Sequence, residues 1–232
     1  MRVIVRQGIG RRLSGLASIA MVLATAVVFA ASAAAASSLA SDPPSTIIAD
    51  ARSAIDSAST VDVSGTLAQG AQSAAIDLQM VAGKGGYATF SFAHAASYRL
   101  VVIGTTLYLN GNRAFWLAEG VKSAVASLVQ GRWVRQSAAH GDDAVLASIL
   151  NPHVFFKGLL ALNGTLKKLA TTTIAGEAVV PVSNGTYTID FAATGTPYPV
   201  TASAKGTALV IGHVNQPVKL TAPSSAISLP AG

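Results

Sequence analysis

From residue 60 onward, apolar and polar residues alternate in short runs. Val61 to Leu67 alternate. Ala75 to Val81 place Ile76, Leu78 and Met80 on one side, and Tyr87 to Phe92 place Phe90 and Phe92 together. Tyr98 to Ile103 and Thr106 to Leu109 continue the series, with turns at Gly83 to Gly86, at Gly104 and at Asn110-Gly111. A period of two with one apolar side predicts an antiparallel meander that buries one face. Upstream, Ile47, Ala51, Ile55 and Ala58 recur at helical spacing, which predicts a helix over Thr46 to Ser59 capped by Ser45 or Thr46.

After the meander the period lengthens. Phe115, Val121, Val125 and Leu128 predict a second helical segment from Ala114 to Val129, followed by a short strand at Gly131 to Arg135. A third helical region, Asp143 to Leu162, contains Asn151-Pro152. A cap residue followed by proline at a first helical position predicts two helices joined there. The second carries Val154, Phe155, Phe156, Leu159, Leu160 and Leu162. Strand patterns then return at Leu166 to Ile174, Ala178 to Val182, Thr186 to Phe191, Pro199 to Ala204, Leu209 to Val214 and Val218 to Thr221, with turns at Ala175-Gly176 and Asn184-Gly185. The order is helix, strands, helices, strands, without regular strand–helix alternation. It predicts an α+β fold: one large curved antiparallel sheet with helices on its concave face.

The first residues read differently. Arg2 to Arg12 is cationic, and Leu13 to Ala36 runs without a charge and ends in small residues at A-x-A spacing. This predicts an export signal over residues 1–36, a linker over 37–45 and one domain over 46–232. The uncharged run is also long enough for an uncleaved membrane anchor. Arg11-Arg12 matches a twin-arginine signal poorly, which favours the general secretory route. The protein is therefore expected outside the cytoplasm, in the envelope or beyond it.

Charge and chemistry narrow the function. The formal charge is +6, but Arg2, Arg6, Arg11 and Arg12 precede the apolar run, which leaves +2 for the rest. No basic stripe with interleaved aromatics occurs, so nucleic acid is not an expected partner. Cysteine is absent, which excludes disulfides, thiol nucleophiles and thiolate metal sites. His94, His140, His153 and His213 are scattered, and no metal or cofactor site is expected. His140 with Asp142 and Asp143 reads as a solvated loop before a helix rather than a cation site. No nucleophile elbow and no phosphate loop occurs, so the chain does not read as an enzyme; the competing enzyme reading is a hydrolase or esterase whose triad is dispersed along the chain.

Several segments together resemble a family. They are Val63 to Leu67, Ile76 to Leu78, Gly83 to Gly86, Val102 to Leu109, Ala114 to Trp116, Gly131 to Trp133, Thr171 to Ala178, Thr194 to Pro199 and Pro217 to Pro223. In this order and spacing the chain resembles the LppX/LprG/LprF-type lipoproteins, whose fold is a LolA-like half-barrel. The resemblance implies an apolar cavity between sheet and helices. It also implies acyl chains of lipids or glycolipids as partners, contact with membranes and a part in lipid transport. The walls would be Leu78, Met80, Phe90, Phe92, Val102, Leu107, Phe115, Trp116, Phe155, Phe156, Leu159, Ile189 and Phe191. The chain departs from the family in lacking its lipidated cysteine. Without the resemblance, the same positions read as ordinary core and the chain as an envelope interaction domain with a filled interior. Trp116 and Trp133 read as aromatic anchors or as stacking platforms for a sugar.

Overall fold

The structure is a computed structural model that describes residues 39–69, 72–92, 96–139 and 141–228. All of these fall within one compact unit, Ala35–Gly232. The export segment, His94 and His140 lie outside the described residues, as does the Asp142 side chain.

A 3-10 turn at Leu39–Ser41 leads into helix α1, Pro44–Asp56. The helix starts earlier than the sequence predicts, because Pro44 suits a first helical turn, where the N–H has no helical partner. Pro43 is the cap, and Ser45 and Thr46 lie inside the helix. The expected linker is therefore partly structural. Leu39 is buried, and its N–H bonds Ala193 O. One face of α1, with Ile47, Ile48, Ala51 and Ile55, is buried.

The meander forms as expected: β1 Thr60–Gln69, β2 Gln72–Val81, β3 Gly85–Phe92, β4 Ser97–Ile103 and β5 Thr106–Gly111. Asn110-Gly111 stays inside β5 instead of turning. Asn110 Nδ2 donates to Gly131 O, and the chain turns one residue later at Asn112. The Asn112 side chain caps α2, Arg113–Ala118, by accepting from Phe115 N at 2.9 Å. The expected second helix is two. Gly120, at φ +76°, ends α2, and α3, Ser123–Val129, begins afresh. The break rotates the faces, so Ala126 and Val129 are buried while Val125 and Leu128 are exposed. Strand β6, Val134–Ser137, then pairs with β5.

Helices α4, Gly141–Ser148, and α5, Pro152–Leu159, meet at Asn151, whose side chain accepts from His153 N.

 Helix α5 spans Pro152–Leu159, with proline at its first position as the sequence predicts. It packs on α1, where Arg52 Nη2 donates to Leu160 O at 2.8 Å and His153 Nδ1 meets Asp56 Oδ1 at 2.6 Å.

The remaining strands are β7 Lys167–Lys168, β8 Thr172–Ile174, β9 Glu177–Ser183, β10 Tyr187–Ala192, β11 Pro199–Ala204, β12 Thr207–Gly212 and β13 Ile227–Ser228. The single strand expected over Leu166 to Ile174 is two short ones, both paired with β9. Val218 to Thr221 forms no strand. Pro217 and Pro223 flank it, and neither can donate to a ladder that would extend the segment. This segment instead crosses the outer face of the meander, where Tyr87 Oη donates to Lys219 O and accepts from Thr221 N.

The strands join in one open sheet, in the order β13-β6-β5-β4-β3-β2-β1-β12-β11-β10-β9-β7. Every pairing is antiparallel except β13 with β6, so the sheet is mixed rather than purely antiparallel. Strand β1 is the seam, pairing β2 on one side and β12 on the other. Alternation gives the sheet one apolar face. That face and the helices contribute to a single hydrophobic core, from Val134 at one flank to Val182 at the other.

Candidate functional site

The strand register explains which expected wall residues meet. Ile76, Phe90 and Tyr98 lie in one cross-strand row, which continues through Gly65, Leu209 and Ala202 to Ile189. A second row runs from Met80 through Gly86 and Val102 to Leu107. Leu78 lies on the same face as both, two residues from each of Ile76 and Met80 along β2. Phe191 follows Ile189 on β10, and Phe115 and Trp116 enter from α2.

At one end the aromatic rings touch. Phe90 stacks on Tyr98 with centroids 4.8 Å apart, Tyr98 meets Phe115 at 4.6 Å, and Phe92 lies 6.1 Å from Tyr98. Phe115 and Trp116 meet edge to face at 5.1 Å. Trp116 Nε1 donates to Gly111 O, which satisfies the one polar atom of a buried indole. Trp116 is thus an anchor, not an exposed platform. Over the sheet, Phe155 and Phe156 of α5 contact each other at 5.3 Å, with Leu159 one turn further on.

All thirteen expected residues belong to the core or pack against it. Ten of them are at most 7% exposed, and only Phe92, Phe155 and Leu159 are half-buried. The interior is therefore closed around these side chains. One cleft of about 230 Å³ reaches one of the expected wall residues, Val102. It opens between the hairpin turn at Gly83 to Gly85 and the α4–α5 junction at Ala147 to Asn151. This is smaller than the ~300–1,000 Å³ of most small-molecule sites.

Two residues of this interior escaped the sequence reading. Tyr98 sits at the centre of the aromatic group, and its strand partner Phe90 was the signal that could have found it. Burial pushes its phenol pKa up to about 12, with the nearby Glu119 charge adding to the effect. Between pH 10 and 12 the folded chain keeps a proton that the unfolded chain has released. Stability present below pH 10 is therefore lost as the pH climbs through 12. Replacing Tyr98 with phenylalanine should flatten that alkaline loss, which urea titrations at pH 9 and pH 11 would measure. Gln136 is the second. It lies opposite Leu107, and its Oε1 is buried with no hydrogen-bond partner. An orphaned acceptor facing an apolar interior is uncommon.

Comparisons with known proteins give the following. No family model matches the chain, and no curated protein matches it. Solved structures are similar, and two of them are as follows. LprF from Mycobacterium bovis is 12% identical, with a TM-score of 0.49, covering 78% of this chain and 96% of that one. The lipoprotein LppX from Mycobacterium tuberculosis is 15% identical, with a TM-score of 0.45, covering 76% of this chain and 99% of that one.

Other chemistry is sparse. Among the described residues no group of His, Asp and Glu could hold a metal, and no helix is long and apolar enough to cross a membrane. His153 and His213 bond Asp56 and Asp62 at the surface, and no serine hydroxyl joins either pair among the described hydrogen bonds.

Proposed function

We propose that this chain is an exported envelope protein that binds apolar molecules, acyl chains of lipids or glycolipids, between the sheet and its helices, and that it carries them rather than transforming them. The observation behind this reading is the construction of the cover. Helices α2 to α5 are six to eight residues long. Helices this short depend on packing for their stability, because isolated helices below ~12 residues are marginal in water. They lie on a continuous apolar sheet face to which a hydrocarbon chain could bind in their place, gaining roughly 25 cal/mol per Å² of apolar surface removed from water.

A tail would enter at the cleft between the hairpin turns and the α4–α5 junction, and the cover would part to admit it. Gln136 Oε1 would accept a hydrogen bond from a headgroup hydroxyl or amide. Met80, unbranched and adaptable, suits tails of varied length. The signal-like residues 1–36 support release from the cytoplasm, either free or held by the uncleaved segment.

A competing reading, an envelope interaction domain with a filled core, is favoured by the near-complete burial of ten wall residues. Extraction and uptake separate the two. Organic extracts of the purified protein, read by mass spectrometry, should contain acyl species, and delipidated protein should take up a fluorescent fatty acid. Phe155→Asp should weaken that uptake by about tenfold or more, equivalent to ~1.4 kcal/mol, while the far-ultraviolet spectrum stays unchanged. Empty extracts and no uptake would establish the filled core.

A further inference from the structure

The outer face of the sheet carries a second feature. Strand register sets Asp77, Thr89, Arg99 and Asn110 in one row, on the side opposite the core residues Leu100 and Val102. Trp133 comes just before β6, and the Arg99 guanidinium lies over its ring at 5.2 Å from the centroid. Two grooves meet at this arginine. The first, of about 460 Å³, is lined by Thr89, Ser91, Ser97, Asn110 and Gln130. The second, of about 370 Å³, lies between Tyr87, Trp133 and the C-terminal segment at Thr221 and Pro223. Thr89 and Arg99 line both, so the arginine forms the partition.

The charge immediately around Arg99 is one-sided. No Asp or Glu occurs in residues 85–92, 97–111 or 130–137, whereas Arg99, Arg132 and Arg135 do and are exposed. Arg99 has no carboxylate within ion-pairing distance among the described residues. Asp77 is two strands away, about 9–10 Å at normal strand spacing. A guanidinium laid on an indole keeps its N–H edge in plane, and stacking restricts its orientation. That edge matches a phosphate or carboxylate through two parallel hydrogen bonds. Next to it, hydroxyls and carboxamides offer both donors and acceptors.

We propose that this groove binds a sugar phosphate, with the phosphate on Arg99 and the sugar hydroxyls along Thr89, Ser91, Ser97 and Gln130. The ligand is either a free sugar phosphate or the headgroup of a glycolipid. The site is separate from the interior and does not depend on the reading given for it.

Glucose 1-phosphate titrated into the purified full chain, followed by tryptophan fluorescence and calorimetry, tests this. Saturable binding is expected, with glucose alone and inorganic phosphate alone each at least tenfold weaker. Arg99→Gln should weaken binding at least tenfold, and Arg99→Lys should restore part of it. The urea unfolding midpoint should be unchanged in both variants, which shows that the fold survives. A dodecyl ester of the sugar phosphate identifies the source. A gain in affinity points to a lipid headgroup, and no gain points to the free sugar phosphate. In either case the dependence on Arg99 must hold. No saturable binding, equal binding by Arg99→Gln, or inorganic phosphate binding as tightly as the sugar phosphate would overturn the proposal.

Discussion

Gly65→Ala is expected to lower the unfolding free energy by about 3 kcal/mol, seen as a lower urea midpoint with an unchanged slope. Gly65 lies mid-strand in β1, between Ile76 of β2 and Leu209 of β12. Its φ is +134°, a conformation that side-chain-bearing residues rarely adopt. An added Cβ would lie 2.1 Å from Ala208 O and 3.1 Å from Leu209 Cα. Both contacts are backbone, so relief requires β12 to move. Strand β1 joins the two halves of the sheet, and the damage is therefore not local. Gly104→Ala provides the comparison. It shares a positive φ, but nothing lies within 4 Å of its added Cβ. It should cost only about 1 kcal/mol.

Phe156→Asp should be at least as harmful. Phe156 is 1% exposed, and its ring packs edge to face on Phe155. Removing a buried phenylalanine costs about 3–5 kcal/mol, and a carboxylate left there without a partner adds its own desolvation. The thermal midpoint should fall by roughly 10–20 °C, at ~2–4 °C per kcal/mol for a domain of this size. Phe155→Asp, half-buried on the same helix, should lower it far less. A calorimetric scan of the two variants checks the contrast. If both melt like the parent, the helices do not pack as described. This contrast is also why the uptake experiment uses Phe155 and not Phe156.

The strands were legible where alternation ran unbroken. Pro199 to Ala204 forms β11 over the expected residues, and Asn184-Gly185 turns between β9 and β10 as its composition implies. The split helix at Asn151-Pro152 was legible for a similar reason, since one capping side chain and one ring determine it locally. The misreadings arose where tertiary partners decide. Asn110-Gly111 carries a strong turn signal, but Gly131 O takes the asparagine donor and holds it in the ladder. Val125 and Leu128 fit an inward stripe only if the helix is continuous through Gly120. The pairing of β13 with β6 involves residues more than ninety positions apart, and nothing local announces it.

For the site, burial followed from the residue types, and all thirteen residues belong to the core or pack against it. Periodicity reports which face a side chain occupies, not whether that face is filled by protein or leaves space, so it could not show how closely the interior packs. Arg99 and Trp133 were out of reach as a pair, because their contact depends on how β4 and β6 are placed on either side of β5.

Both flanks of the sheet end in strands of two residues, Ile227–Ser228 on one side and Lys167–Lys168 on the other. Long bare edges invite neighbouring molecules to add themselves by backbone pairing, and brief or lysine-bearing borders discourage it. A thirteen-stranded surface built this way can remain dispersed in a crowded compartment, with its hydrogen-bonding capacity turned inward and not available for polymerisation.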